Sequence, residues 1–225
     1  MKNQQVMENN KKSVVLTIIG VTIMILLTVT KAVPSSNIAS YSVFVGIAIF
    51  FITEAVSKTP NAESSLRFNT IVKDIKKPSV IAWALLPSVS GILTLVVGNL
   101  IFCGEFVAHV MGRTSSILSF DKTVLLIGQV IIAAFGEEIA YRGFFLGKGM
   151  KIFPFWFCAV VSSLTFAAGH IATGNIGVVL YDVAAVFIDG LVFSVIYHKS
   201  GNCVISTFSH ILGNVISLVA VFLFF

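Results

Sequence analysis

Gly136-Glu137-Glu138-Ile139-Ala140-Tyr141-Arg142-Gly143 lies inside an apolar run that extends from Thr123 to Leu146. Such a run is long enough for a helix to cross a hydrocarbon core of about 30 Å, which takes roughly 20 residues. Each charge at the centre of a membrane helix costs about 2.5–3.5 kcal/mol even on the lenient insertion scale. Three of them in one stretch therefore need a partner or a purpose. Glu138 and Arg142 are spaced i, i+4, in the favourable acid-to-base order, so they can neutralise each other on one helical face. Glu137 points about 100° away around the helix and is left without a local cation. A structural ion network is the alternative reading.

The composition around this stretch sets the class. Of 225 residues, 56% are hydrophobic and only 11% charged, against about 25% charged in soluble domains. The sequence predicts seven spans: Val14–Val33, Ala39–Val56, Val80–Cys103, Thr123–Leu146, Ile152–Ile171, Ile176–His198 and Cys203–Phe225. The runs are long and continuous rather than short and alternating, so they read as helices and not barrel strands. The expected fold is all-α, a polytopic membrane helical bundle. The whole of 1–225 forms one transmembrane domain, with N-terminal helices in 1–122 and the polar motifs in 123–225. The first span reads as a retained anchor, since no small-x-small cleavage site follows it cleanly.

Basic residues set the expected orientation. With seven spans, twelve of the fifteen Lys and Arg fall on the side of the N-terminus and three, Lys31, Arg113 and Lys122, on the other. That bias places the N-terminus in the cytoplasm of a cell-membrane protein. The net charge of +5 is thus a topology signal that suits anionic headgroups, and nothing in it points to nucleic acid. Cys103, Cys158 and Cys203 form no CxxC pair and read as small buried hydrophobes. The connection Ser57–Ser79, with Glu63, Asp74 and its lysines, reads as a solvated face, and Gly104–Lys122 as an external segment. His109 and His198 read as surface or interface residues, and Glu54 as lying at the membrane edge. Asp182 and Asp189 share one face of the sixth span, where they line a cavity or bond to neighbours.

Two further motifs follow. In Phe166-Ala167-Ala168-Gly169-His170 the ring and the imidazole are i, i+4, and the small residues between allow a close helix neighbour. A lone histidine there is otherwise a packing residue. In His210-Ile211-Leu212-Gly213-Asn214 two donors share a face; they suit a developing oxyanion or a simple interhelical hydrogen bond. Glu137 and His170 lie 33 positions apart, with the midpoint at Phe153-Pro154. A turn there would bring them to similar depth in a helical hairpin. His210, soon after Cys203, matches that depth less well.

Glu137-Glu138-x-x-x-Arg142, Phe166-x-x-x-His170 and His210-x-x-x-Asn214, in this order on late helices, resemble the CPBP family. That family groups CaaX prenyl proteases with bacteriocin-processing and Abi-type membrane proteins. Phe187-Ile188-Asp189-Gly190-Leu191, then Gly201-Asn202-Cys203, are similar to the run before the family's last histidine; Asn202 and Cys203 depart from the small and bulky residues usual there. The likeness covers about Thr123–Phe225, and the first half matches only in being hydrophobic.

The resemblance implies a glutamate-dependent intramembrane endopeptidase with a conical cavity. Glu137 would be the general base, His170 would hold the water, and His210 and Asn214 would stabilise the oxyanion. Glu138, Arg142 and Phe166 would support them. A required cofactor is not implied. Zinc on Glu137, His170 and His210 is the alternative, since two histidines and a glutamate resemble a zinc set. HExxH, GxSxG and GxGD are absent. The implied partners are the lipid bilayer and a peptide or protein substrate, such as a small exported peptide or a bacteriocin leader, with a sensor kinase or secretion partner beside it. A non-catalytic immunity or binding protein is the rival reading. A transporter is a weaker one, because the chain has no matching halves.

Overall fold

A computed structural model describes residues 2–32, 38–58, 64–115 and 118–224. Its elements are α1 (Lys2–Val29), α2 (Tyr41–Ser57), α3 (Ile71–Ile75), α4 (Pro78–Ile101), α5 (Glu105–Thr114), α6 (Thr123–Glu138), α7 (Phe155–Ala168), α8 (Ile176–Ser200) and α9 (Cys203–Phe224). α6 runs on through a π-helical stretch, Ile139–Leu146, and a last short turn, Gly147–Gly149. No strand occurs among the described residues.

Six of these helices are long and apolar enough to cross a membrane. The protein is turned inside out relative to a soluble fold. Ile18, Leu26, Phe44, Leu93, Ile132 and Leu180 are exposed, while Ser162, Ser163, Ser194 and Ser206 are fully enclosed. Lipid tails are as apolar as leucine, so burying Leu brings no gain; small polar residues let helices approach and bond to one another. This architecture is the helical bundle that the hydropathy pattern predicts.

Two expected spans differ in length. α1 starts at Lys2, not Val14, because helix propagates into the polar residues ahead of the apolar run. The fifth span shortens to Phe155–Ala168, 14 residues, or about 21 Å at 1.5 Å per residue. It ends in the turn that carries His170, and Asn175 caps α8 by accepting from the Gly177 amide at 2.9 Å.

α7 and α8 form an antiparallel pair with a readable register. Phe155 stacks on His198 with ring centroids 4.0 Å apart. Gly190 lies so close to Ser163 that a Cβ there would meet the serine Cβ at 2.9 Å. Continued to the end of α7, this register sets Ala168 beside Ala185, about one turn of α8 from Asp182. α9 is held against α4 at the level of His210. Pro87 removes a backbone bond within α4, Gly213 packs against Pro87, and Ser209 Oγ donates to the Ala84 carbonyl at 2.6 Å. Ser209 and Gly213 flank His210, so this contact sets its depth.

The connection after α2 departs from the expected solvated face. Asn202 is fully buried and joins it to the start of α9. Its Oδ1 accepts from the amides of Arg67 (3.2 Å) and Val204 (3.1 Å), and its Nδ2 donates to the Arg67 carbonyl (2.7 Å) and Asp74 Oδ2 (3.1 Å). Asp74 is buried and also accepts from Thr70 Oγ1 at 2.7 Å. A sequence window cannot see a partner more than a hundred residues away. Glu63 lies outside the described residues. Gly201, at φ +69°, makes the turn into this loop in the left-handed region that suits glycine. Glu54 ion-pairs with the buried Lys148 rather than lying free at the edge. Cys158 and Cys203 are buried, but Cys103 is exposed.

Asp74 makes this loop acid-sensitive. Burial opposes its ionisation, but hydrogen bonds from Thr70 and Asn202 and the charges of Arg67 and Lys77 outweigh that and hold its carboxyl below the ordinary value. A depressed carboxylate contributes stability that is complete above the unfolded-chain value of about 3.9 and is lost as pH falls through the lower folded value. Thermal melts in detergent micelles should therefore drop below about pH 4, and Asp74→Asn should flatten that limb. A variant with the same acid limb as the wild type would refute the assignment.

Candidate active site

The three motifs meet on α6, the end of α7, and α9. Glu138, the last α-helical residue of α6, and Arg142, within the π-helical stretch, are both fully enclosed, with Oε1 and Nη1 3.0 Å apart. Arg142 Nη2 also donates to the Gly190 carbonyl of α8 at 3.1 Å. Its guanidinium lies over two rings, 4.7 Å from the centroid of Phe166 and 5.1 Å from that of Phe193. This pair is an enclosed, fixed base for the groups around it. π-helix is rare and gathers at functional sites. Here it follows directly after the two glutamates, and the Gly147 amide bonds back to the Arg142 carbonyl.

His210 enters from α9 between the two carboxylates. Its Nδ1 is 3.1 Å from Glu138 Oε1, and its Nε2 is 3.7 Å from Glu137 Oε2. Phe193 stacks on the ring at 4.5 Å and 26°. A carboxylate only accepts, so Nδ1 carries hydrogen toward Glu138. With Nδ1 protonated, a neutral ring would point the Nε2 lone pair at Glu137. A hydrogen offered from Nε2 therefore requires the ring to carry one on each nitrogen. Sequence spacing leaves Glu137 without a local partner; packing of α9 brings the His210 imidazole to it across the bundle.

His170 is fixed differently. α7 ends just before it, and the last carbonyls of a helix lack intrahelical partners. His170 Nδ1 meets the Phe166 carbonyl at 2.8 Å. The carbonyl accepts, so Nδ1 is the N–H and Nε2 keeps its lone pair. The Phe166 ring packs edge-on against the imidazole at 4.6 Å and reaches toward His210 at 6.1 Å. Glu137 keeps a quarter of its side chain exposed, unlike Glu138. Asn214 follows His210 by one turn, is exposed, and forms no hydrogen bond among the described residues.

Several participants carry no sequence signal. Phe193 is one apolar residue among many, yet it covers both Arg142 and His210. The Gly190 carbonyl is backbone, although Phe187–Leu191 belongs to the run singled out above. Asp189 accepts from Ser90 Oγ of α4 at 2.6 Å, and Asp182 pairs with Arg113 and His109 of α5. Neither forms an ion pair with a motif residue.

No group of three His, Cys, Asp or Glu side chains among the described residues could hold a metal ion. His210 has both ring nitrogens turned to carboxylates. A zinc site wants its ligands converging on one point about 2 Å from each.

Residues 118–216 match the family described as Type II CAAX prenyl endopeptidase Rce1-like. No curated protein and no solved structure matches the chain. The matched segment spans α6 through most of α9 and holds Glu137, Glu138, Arg142, Phe166, His170, His210 and Asn214.

Proposed function

We propose, from the match of residues 118–216 to the Rce1-like family of Type II CAAX prenyl endopeptidases, that the chain is a glutamate-dependent intramembrane endopeptidase. The reading rests above all on Glu137, which is partly open and 3.7 Å from the His210 imidazole that Glu138 holds from behind. Glu137 and the lone pair of His170 Nε2 are the two acceptors for one water. Glu137 takes one of its protons, His170 accepts a hydrogen bond from the other, and the oxygen attacks the scissile carbonyl. His210 Nε2–H and Asn214 donate to the oxygen as it gains charge. Glu137 then passes its proton to the leaving amine, the C–N bond breaks, and the base is regenerated.

Glu138, paired with Arg142, holds the His210 ring in place through Nδ1 without touching substrate. Hydrolysis by this route needs no bound metal. The substrate class is a small exported or membrane-associated peptide, and the basic bias of one set of loops puts the N-terminus in the cytoplasm of the cell membrane.

Peptidomics of membranes carrying the wild-type chain, against Glu137→Gln, tests the assignment. Products should appear only with Glu137 and should persist when the membranes are treated with a zinc chelator. Identical peptidomes would leave the immunity or binding reading in its place. Loss of products on chelation would restore the zinc alternative.

A further inference from the structure

α5 brings a second buried charge cluster to α8, outside all three motifs. Arg113 Nε lies 2.9 Å from Asp182 Oδ2, and Nη2 donates to Oδ1 at 3.3 Å. His109 Nε2 is 3.3 Å from the same carboxylate. All three side chains are mostly enclosed. A buried carboxylate held by two cations or donors is expensive unless it is paired in this way.

The cluster sits beside the segment that bears His170. The α7–α8 register sets the end of α7 about one turn of α8 from Asp182. The end of the loop that follows His170, at Gly174 and Asn175, lies under α5. His109 Nδ1 would lie 3.0 Å from a Cβ at Gly174, and Asn175 Nδ2 donates to Glu105 Oε2 at 3.4 Å. Phe106 closes the contact edge-on against Tyr181, with centroids 5.0 Å apart. Arg113 is also within electrostatic reach of both Glu137 and His170.

We propose that α5 is a clamp on the loop after His170, with Asp182 as its hub and Arg113 as a positioning residue for hydrolysis. His170 lies past the last turn of α7, held locally by its amide bond to the Ala167 carbonyl and its Nδ1 bond to Phe166. Its Nε2 must nevertheless stay aimed at the water that Glu137 activates. The clamp supplies the missing restraint from the opposite side of the loop. It also explains why a short helix with two buried polar side chains sits where the sequence calls only for an external connection.

This inference rests on the protease reading for its purpose but not for its measurement. The experiment uses the full-length chain in nanodiscs and compares Arg113→Met, Arg113→Lys, Asp182→Asn and the exchanged pair Arg113→Asp with Asp182→Arg. Amide hydrogen exchange is followed across residues 169–175, and Glu137-dependent products are counted in membrane peptidomes. Arg113→Met and Asp182→Asn should speed exchange in 169–175 by about tenfold or more. They should lower product formation by on the order of tenfold to a hundredfold, the scale of a 1 Å misplacement. Exchange in α1 and α2 should not change. Arg113→Lys keeps the charge but not the two-pronged contact, so it should fall between. The exchanged pair should recover most of both readouts.

Unchanged exchange in 169–175 overturns the clamp, as does faster exchange spread evenly over every helix in all variants. Wild-type product levels with a loosened loop overturn the positioning role. If Glu137→Gln alters no peptide while the loop still loosens, the protease reading falls and the clamp stands.

Discussion

Glu137→Gln should lower the rate of peptide cleavage by roughly 10²–10⁴-fold, the scale of a lost general base, while the protein melts within a few degrees of the wild type. Glutamine keeps the size of the side chain and can still accept a hydrogen bond from water. It cannot take the proton. Its removal of charge is cheap for the fold because Glu137 is partly open and its ion-pair partner, His210, is 3.7 Å away and keeps Glu138 as a second partner. The measurement is turnover of a synthetic peptide matching a product found in the membrane peptidome, alongside a thermal melt. A purified variant that cleaves at the wild-type rate would remove Glu137 from the reaction.

Arg142→Met should cost about 3–5 kcal/mol of stability, because it takes the permanent cation from an enclosed carboxylate and leaves Glu138 with the His210 imidazole in its place. Glu138 and Arg142 have no exposure at all, so water cannot screen the remaining charge. Methionine can still fill the space between Phe166 and Phe193 that the guanidinium occupies. Changing both partners, Glu138→Leu with Arg142→Met, should therefore recover much of the loss, since an apolar pair of similar volume often replaces a buried ion pair without penalty. Cleavage should not return in the double variant. His210 Nδ1 would have lost the carboxylate that orients its ring. Unfolding in detergent micelles, with urea or heat, reads the stability. A double variant as unstable as Arg142→Met alone would show that the pair is not what the fold needs there.

Much of this arrangement was legible in the chain because it is local. The i, i+4 spacing of Glu138 and Arg142 already places them on one face, and the tertiary structure has only to bury that face. The turn between α6 and α7 lies at residues 150–154, around Phe153-Pro154, where the hairpin arithmetic puts it. The depth of His210 was not legible. It depends on Pro87 in α4 opening a place for Gly213 and Ser209, and proline in one helix carries no mark of which helix will dock on it. The buried network of Asp74 and Asn202 escaped for the same reason. So did the cluster of Arg113, His109 and Asp182, whose residues look like ordinary loop charges until two helices meet.

The amino-acid sequence alone determined that this is a bundle of apolar helices with its polar groups on a few late ones. Hydropathy and helical phase are properties of neighbouring residues, and lipid leaves the backbone no alternative to helix in such runs. Only the tertiary structure decided which nitrogen faces which carboxylate, where α7 stops, and what holds the loop beyond it. Those outcomes depend on contacts between segments far apart in the chain, where a shift of one helical turn, about 5.4 Å, would exchange every partner.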